Sequence, residues 1–476
     1  MKSVAVFLAV FCSLAATAQS QRVQIIFSRP YAVLHFLEAA TGSSRAPVAY
    51  TEFIQQQAAG DSRFIGLLHR YRQLNAQLYY AAEGFPPGRP WYRSSFDLLV
   101  KAAVASSSNA ECIRRASGIL PREDLNSLLL LLNEADGYYE TFVWKREGPG
   151  LQQRLAALRK KGAALDRLFH QFNRFYASGW LPGLPLLIAL YPVPGTREAS
   201  SATPHVDVLS VGIRTGKNET AGPLSIALHE LAHTLYAEQP RLLQQAMENW
   251  FLQHPSPYRS FAYAFLDEGL ATALGNGYSY RQLSGKMDTA AWYDNPYING
   301  FGKALYPLAA DYLENGRTLD SSFADSAIRL FAARFPKARY DYAILLNRVS
   351  IYADAENAEE RRGLIHTLGA AFQLTGHQLS TPVLDASSLD ALRTGSGTQL
   401  VVVDRKEEAT WKALQEAFPA WSAYLSPLDG RQGIVSFYDD QGRALIFLKG
   451  KPEATIKALR NLGFMDPERA AAPLKD

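Results

Sequence analysis

Cysteine is nearly missing from this chain of 476 residues: there are two, Cys12 and Cys112. Cys12 falls in an N-terminal apolar run, so Cys112 has no partner within the chain. A disulfide framework is thereby excluded, and the fold must hold without bridges. Histidine (nine) and methionine (four) are also scarce. Neither sign of charge is in excess, since 49 Lys and Arg against 45 Asp and Glu give a formal +4. That is too small to argue for nucleic acid or for attraction to a membrane surface. No stretch after the N-terminus is long enough to span a bilayer, which takes about 20 apolar residues; the leucine run Leu128 to Leu132 falls far short. Three catalytic signatures are missing as well: a G-x-S-x-G elbow, a G-x-x-x-x-G-K-[ST] loop and a G-x-G-x-x-G turn after a strand. Gly275-Asn276-Gly277 comes nearest to the last, but Tyr280 stands where its third glycine would be. No repeat period is visible. Length and a hydrophobic content of 47% are ample for one large core or for two to three domains.

Lys2, the apolar run Val4 to Ala16 and the triplet Ala16-Thr17-Ala18 have the form of a cleaved export signal over residues 1–18. Cys12 follows Phe11 and makes a poor lipid-attachment site. The expectation is a soluble exported protein, periplasmic or secreted, starting at Gln19. Lys2 is the only charge in that segment, so its loss takes +4 to +3.

Against this background one pentapeptide stands out: His229-Glu230-Leu231-Ala232-His233, a full H-E-x-x-H. Histidines four apart lie on one face of a helix, a turn from each other, and can grip one tetrahedral ion. Glu230 sits at the edge of that face, where it reaches a metal-bound water rather than the metal. Thr220 to Pro223 supply a cap and a first-turn proline. Leu224, Ala227, Leu228, Leu231 and Leu235 recur at helical spacing, and Pro240 marks a stop. The plainer alternative is a buried helix whose histidines bond locally.

A catalytic zinc wants three protein ligands and an open fourth position. Downstream runs Asp267-Glu268-Gly269-Leu270-Ala271, with apolar neighbours on both sides. H-E-x-x-H followed by a helical D/N-E-G-[LF]-A segment resembles the gluzincin zinc metallopeptidases. That resemblance implies Zn2+ held by His229, His233 and Glu268, with Glu230 as general base. Asn295-Pro296-Tyr297-Ile298-Asn299-Gly300-Phe301 is similar to the P-Y-x-x-G segment of M1-type aminopeptidases and implies Tyr297 as oxyanion donor. The G-x-M-E-N stretch of that branch is missing. Thr272, four residues after Glu268, stands where thermolysin-like enzymes carry an aspartate that backs a zinc ligand.

The expected fold class is α+β, mostly helical: a zincin-like catalytic domain over 181–380, a helical N-terminal region over 19–180 and a small C-terminal α/β domain over 395–476. Val23 to Ser28 reads as an edge strand. Leu151 to Tyr176 reads as one helix with a basic face; packing against the core is favoured over lying on a membrane. His205 to Val211 alternates as a half-exposed strand does, and is the candidate edge strand before the zinc helix, where a peptide substrate adds by β-augmentation. His205 belongs to the strand start rather than to the ligand set. Trp292 to Asn295 is placed at the cleft mouth by position alone. Tyr340 to Tyr352 looks helical, and Thr381 to Gly397 looks like a linker. Beyond it Leu400 to Val403, Glu407 to Phe418, Gly433 to Tyr438, Ala444 to Leu448 and Glu453 to Leu462 read as a β-α-β-β-α unit. Asp439 and Asp440 suit its hairpin turn better than a cation.

The function expected is hydrolysis of peptide bonds in a peptide or protein substrate. Two alternatives stay open: a zincin-fold binding or scaffold protein with little turnover, and a zinc amidase acting on cell-wall peptide.

Overall fold

Helical spacing dominates the apolar pattern, and the computed structural model of the chain is α+β and mostly helical, with two small mixed sheets. It describes residues 22–43, 46–74, 76, 78, 94–194, 201–205, 207–404, 407–468 and 470–473. The export signal expected over 1–18 lies outside them. Among the described residues no helix is long and apolar enough to cross a membrane. The chain divides into two units, one of Met1–His254 with Ala262–Arg334 and one of Pro255–Phe261 with Phe335–Asp476.

In the first unit the N-terminal region and the segment bearing H-E-x-x-H share one sheet, so no boundary falls near residue 180. Strand β1 (Val23–Ile26) leads into helix α1 (Arg29–Ala40), which starts on a Ser28 side chain accepting from the Tyr31 N–H. Helix α1 is buried almost all round, within an apolar cluster shared with α2 (Ser95–Val104) and the helix Arg122–Tyr139. The expected single helix over 151–176 is broken at Lys160-Lys161 into Lys145–Arg159 and Gly162–Phe175. Leu165, Leu168, Phe169, Phe172 and Phe175 are buried on one face of the second piece, so it packs against the core.

Strand β2 (Leu186–Pro192) pairs in parallel with β1 and with β4 (Val208–Ile213), while β3 (Ser201–His205) pairs antiparallel with β4. The order is β1-β2-β4-β3, which leaves β3 at an edge. The alternation over 205–211 therefore belongs to two strands rather than one. Thr203 sits opposite Ser210, and the chain reverses between His205 and Val208. Helix α2 grips this reversal with residues one turn apart. The Asp97 carboxylate accepts from His205 Nδ1 (2.9 Å), and Lys101 Nζ lies 2.9 Å from Asp207 Oδ1. His205 is buried in this contact and is not a member of the metal-ligating cluster found among the described residues.

The second unit starts near Phe335 rather than at 395. The helix expected over Tyr340 to Tyr352 is only a turn, Tyr342–Leu345. After it comes strand β5 (Arg348–Ala353), where Val349 and Ile351 pack into the core. Sheet pairing on both sides of β5 overrides the helical look of the segment. Strand β6 (Gly376–Ser380) follows. The expected linker then holds a helix, Ala386–Thr394, capped by Asp385. Strands β7 (Thr398–Val403), β8 (Gly433–Tyr438), β9 (Ala444–Lys449) and β10 (Ala471–Pro473) complete the order β10-β8-β9-β7-β5-β6. Separate apolar clusters fill its two faces. In the β8–β9 turn, Asp439 accepts from the N–H groups of Gln441 and Arg443 and pairs with Arg443 Nε, so its carboxylate is spent on turn chemistry.

The α2 grip makes a testable prediction. Asp97→Ala leaves a buried imidazole N–H without its acceptor, at a cost of about 1–3 kcal/mol. Denaturant unfolding should show that loss, and hydrogen exchange should be faster at the β3 amides than elsewhere in the sheet. Unchanged exchange at β3 would refute the tie.

Candidate metal centre

The H-E-x-x-H pentapeptide lies on helix α3 (Ala221–Ala237). Leu224, Ala227, Leu228, Leu231 and Leu235 form its buried side. Its cap differs from the one the sequence suggests. Thr220 makes no side-chain cap, and Glu219 Oε1 accepts from the Gly222 N–H at 2.6 Å, where a negative charge also suits the helix dipole. The helix ends at Ala237, and Pro240 caps the next one.

Glu268 comes from helix α4 (Leu266–Ala271), which runs on into a π-helical stretch, Thr272–Ser279. This stretch lies hard against α3: a Cβ on Gly275 would sit 2.6 Å from the Cα, N and Cβ of His229. Those are backbone positions that cannot swing aside, so only glycine permits the approach. Helix α5 (Pro296–Glu314) packs on the other side, where a Cβ on Gly302 would meet the Thr272 side chain at 2.6 Å.

Three donors converge as a result. His229 Nε2 and His233 Nε2 are 3.2 Å apart, and each is 3.6 Å from Glu268 Oε2. Ligand atoms about 2.0–2.1 Å from a tetrahedral zinc stand about 3.3–3.4 Å apart, so the triangle has the size of one face of such a site. Among the described residues this is the cluster whose donors could share a metal ion. Glu268 Oε2 is buried and has no hydrogen-bond partner. The separations to it are too long for hydrogen bonds.

The outer ring nitrogens explain why the inner ones face each other. Asn276 Nδ2 donates to the Trp292 carbonyl (2.8 Å), which fixes its Oδ1 toward His229 Nδ1 (3.1 Å). His233 Nδ1 lies 2.9 Å from Asp267 Oδ1. A carboxylate and an amide oxygen only accept, so both Nδ1 atoms carry protons. In the neutral rings both Nε2 lone pairs then point at one spot, beside an orphaned carboxylate oxygen. The donor set fits a divalent cation and is the set zinc takes.

The charges are coupled accordingly. Burial alone would lower the His233 imidazole, but Asp267 and Glu268 outweigh it and push it up to about 10. Burial opposes ionisation of Glu268 too, yet the two imidazoles hold it well below the usual carboxylate range. Glu230 is raised, chiefly by burial, with Glu268 and Asp267 adding to the effect and the two histidines opposing it.

A cavity of about 510 Å³ opens over the cluster, lined by Pro204, Ile226, His229, Glu230, His233, Asp267, Glu268, Asn276 and Tyr293. His229, Glu230, His233 and Glu268 are thus brought together. Tyr297 is not among the lining residues; its ring stacks on Phe265 at 5.8 Å. Asn295 caps α5 by accepting from the Tyr297 and Ile298 N–H groups, so Tyr297 is already inside the helix. The tyrosine at the cavity is Tyr293, stacked 6.0 Å from His229. Burial first, then the Glu268 carboxylate, pushes its phenol up to about 12.

Sequence reasoning gave Asp267 and Asn276 no role, and placed Tyr293 only as part of a loop at the cleft mouth, where it does line the cavity. Asp267 was in plain view beside Glu268. Asn276 sat within the glycine pair set aside as a poor nucleotide-binding turn. The outer partner sought at Thr272 is supplied one turn further on, by Asn276.

Comparison with protein-family models, with curated proteins and with solved structures found no significant match to this chain.

Two outcomes follow from the geometry. Gly275→Ala should force α3 and the π-helical stretch apart, costing about 1–3 kcal/mol in thermal unfolding and weakening zinc uptake with it. Asp267→Ala and Asn276→Ala should each lower zinc affinity by about 10–100-fold, read by competition with a chromophoric chelator. Full affinity in both variants would show that the outer nitrogens do not orient the donors.

Proposed function

We propose that the chain is a zinc-dependent metallopeptidase with a zincin-like site, holding Zn2+ through His229, His233 and Glu268. The observation that carries this is the convergence of two imidazole Nε2 atoms, each ring bonded at its outer nitrogen, and an unpartnered carboxylate oxygen. When bound in such a site, zinc supplies Lewis acidity that acidifies a water and polarises a carbonyl.

The chain's own residues account for the rest. Glu230 lines the cavity beside the ligands without belonging to the donor triangle. A metal-binding scaffold has no use for a carboxylate there, whereas hydrolysis needs a base. Glu230 takes a proton from water as the water oxygen bonds to the scissile carbonyl carbon. It then hands that proton to the amine nitrogen as the C–N bond breaks. Its raised affinity for a proton suits both halves of that transfer. Tyr293 remains a neutral donor at working pH and takes the oxyanion role that the family resemblance gave to Tyr297. Among the described residues β3 stands at the end of the strand order, and its Pro204 forms part of the cavity wall, which favours an extended peptide as substrate.

Elemental analysis should find about one zinc per chain, and a peptide library should be cleaved with zinc present but not after chelation. Glu230→Gln should keep the zinc and lose about 10²–10⁴-fold in turnover. His233→Ala should lose both. A Glu230→Gln protein that cleaves at the full rate would end the assignment.

A further inference from the structure

The walls of the cavity carry an uneven charge. Of the described residues that line it, Glu230, Asp267 and Glu268 are acidic, and none is lysine or arginine. Asp267 is bonded to His233, and Glu268 points at the place where the donors meet. Among the described lining residues carboxyl groups thus number three and fixed cationic side chains of lysine or arginine none. The remaining wall is apolar or neutral: Pro204, Ile226, Asn276 and Tyr293.

Ile226 holds a particular place in it. It lies one turn before Glu230 on α3, on the same face, and is half-buried in the cavity wall rather than in the core. A substrate group beside the reacting carbonyl therefore meets a hydrocarbon surface backed by carboxylates. A carboxylate side chain placed against Ile226 would meet hydrocarbon and, among the described lining residues, no lysine or arginine to pair with. An alkyl or ammonium side chain pays no such penalty.

Resting on the peptidase assignment, we propose that this cavity accepts peptide segments whose residues next to the scissile bond are neutral or cationic, and turns carboxylates away. Ile226 is the residue that sets this preference.

The test uses the zinc-loaded full chain and three probes that bind a metal without being cleaved: the hydroxamates of N-acetyl-leucine, Nα-acetyl-lysine and N-acetyl-glutamate. Calorimetry should show the glutamate compound binding about tenfold more weakly than the other two. Ile226→Lys should improve binding of the glutamate compound about tenfold and weaken that of the lysine compound. The wild-type ranking decides the matter even if that variant fails to fold. Equal binding of all three, tightest binding of the glutamate compound, or no binding at all overturns the proposal. A folded Ile226→Lys protein with the ranking unchanged removes Ile226 as its cause. The expected ranking in a chain that cleaves no peptide keeps the charge preference and discards the peptidase. Cleavage without any ranking does the reverse.

Discussion

Two imidazole nitrogens 3.2 Å apart, each with its proton on the far side of the ring, form the constraint on which the site depends. A ring flip or a small rotation would break up the arrangement, and both are opposed. The Asn276 amide cannot turn without losing the Trp292 carbonyl, and the Asp267 carboxylate holds the other ring. Neutral and charged acceptors one layer out thus fix which edges of the two rings face each other and the Glu268 carboxylate.

That outer layer exists because three helical segments approach more closely than side chains usually allow. Gly275 lets the π-helical stretch touch the backbone of His229, and Gly302 lets α5 close on Thr272 from behind. The wider π turn belongs to the same economy of space. It carries the chain from Glu268, one of the converging donors, to Asn276, which orients another, with a glycine at the point of contact between them. Packing and donor geometry are therefore one problem here: a methyl group in the wrong place moves a donor.

The donor triangle was legible from the chain because its information is local. The spacing of His229 and His233 on a helix, and the acidic residue at the head of Asp267 to Ala271, need no tertiary knowledge. The C-terminal strands β7, β8 and β9 were legible for a similar reason, each being an apolar run bounded by turn residues. Strand β5 was not. Its short apolar segment follows a true helical turn, and only pairing with β6 and β7 makes it a strand. The β3–β4 hairpin was hidden because a polar-apolar alternation reads alike through one strand or across a tight reversal. The unit boundary near Phe335 was misplaced as a consequence of β5, since a segment read as helix gave no reason to start a new sheet there.

The exchange of Tyr297 for Tyr293 shows a different limit. A tyrosine carried over from a motif assumes that the helix begins where the family's helix begins. Here Asn295 caps α5 and Pro296 opens it, so the ring of Tyr297 turns onto Phe265 while Tyr293, two residues before the cap, stays in the loop. That loop is tied down by Trp292, whose N–H donates to Asn299 and whose carbonyl accepts from Asn276. The Asn276 amide therefore orients the His229 ring with its oxygen and anchors the loop bearing Tyr293 with its nitrogen. Donor geometry and the placement of the phenol at the cavity are set by the same side chain. A displacement of either reaches the other without passing through the point where the donors converge.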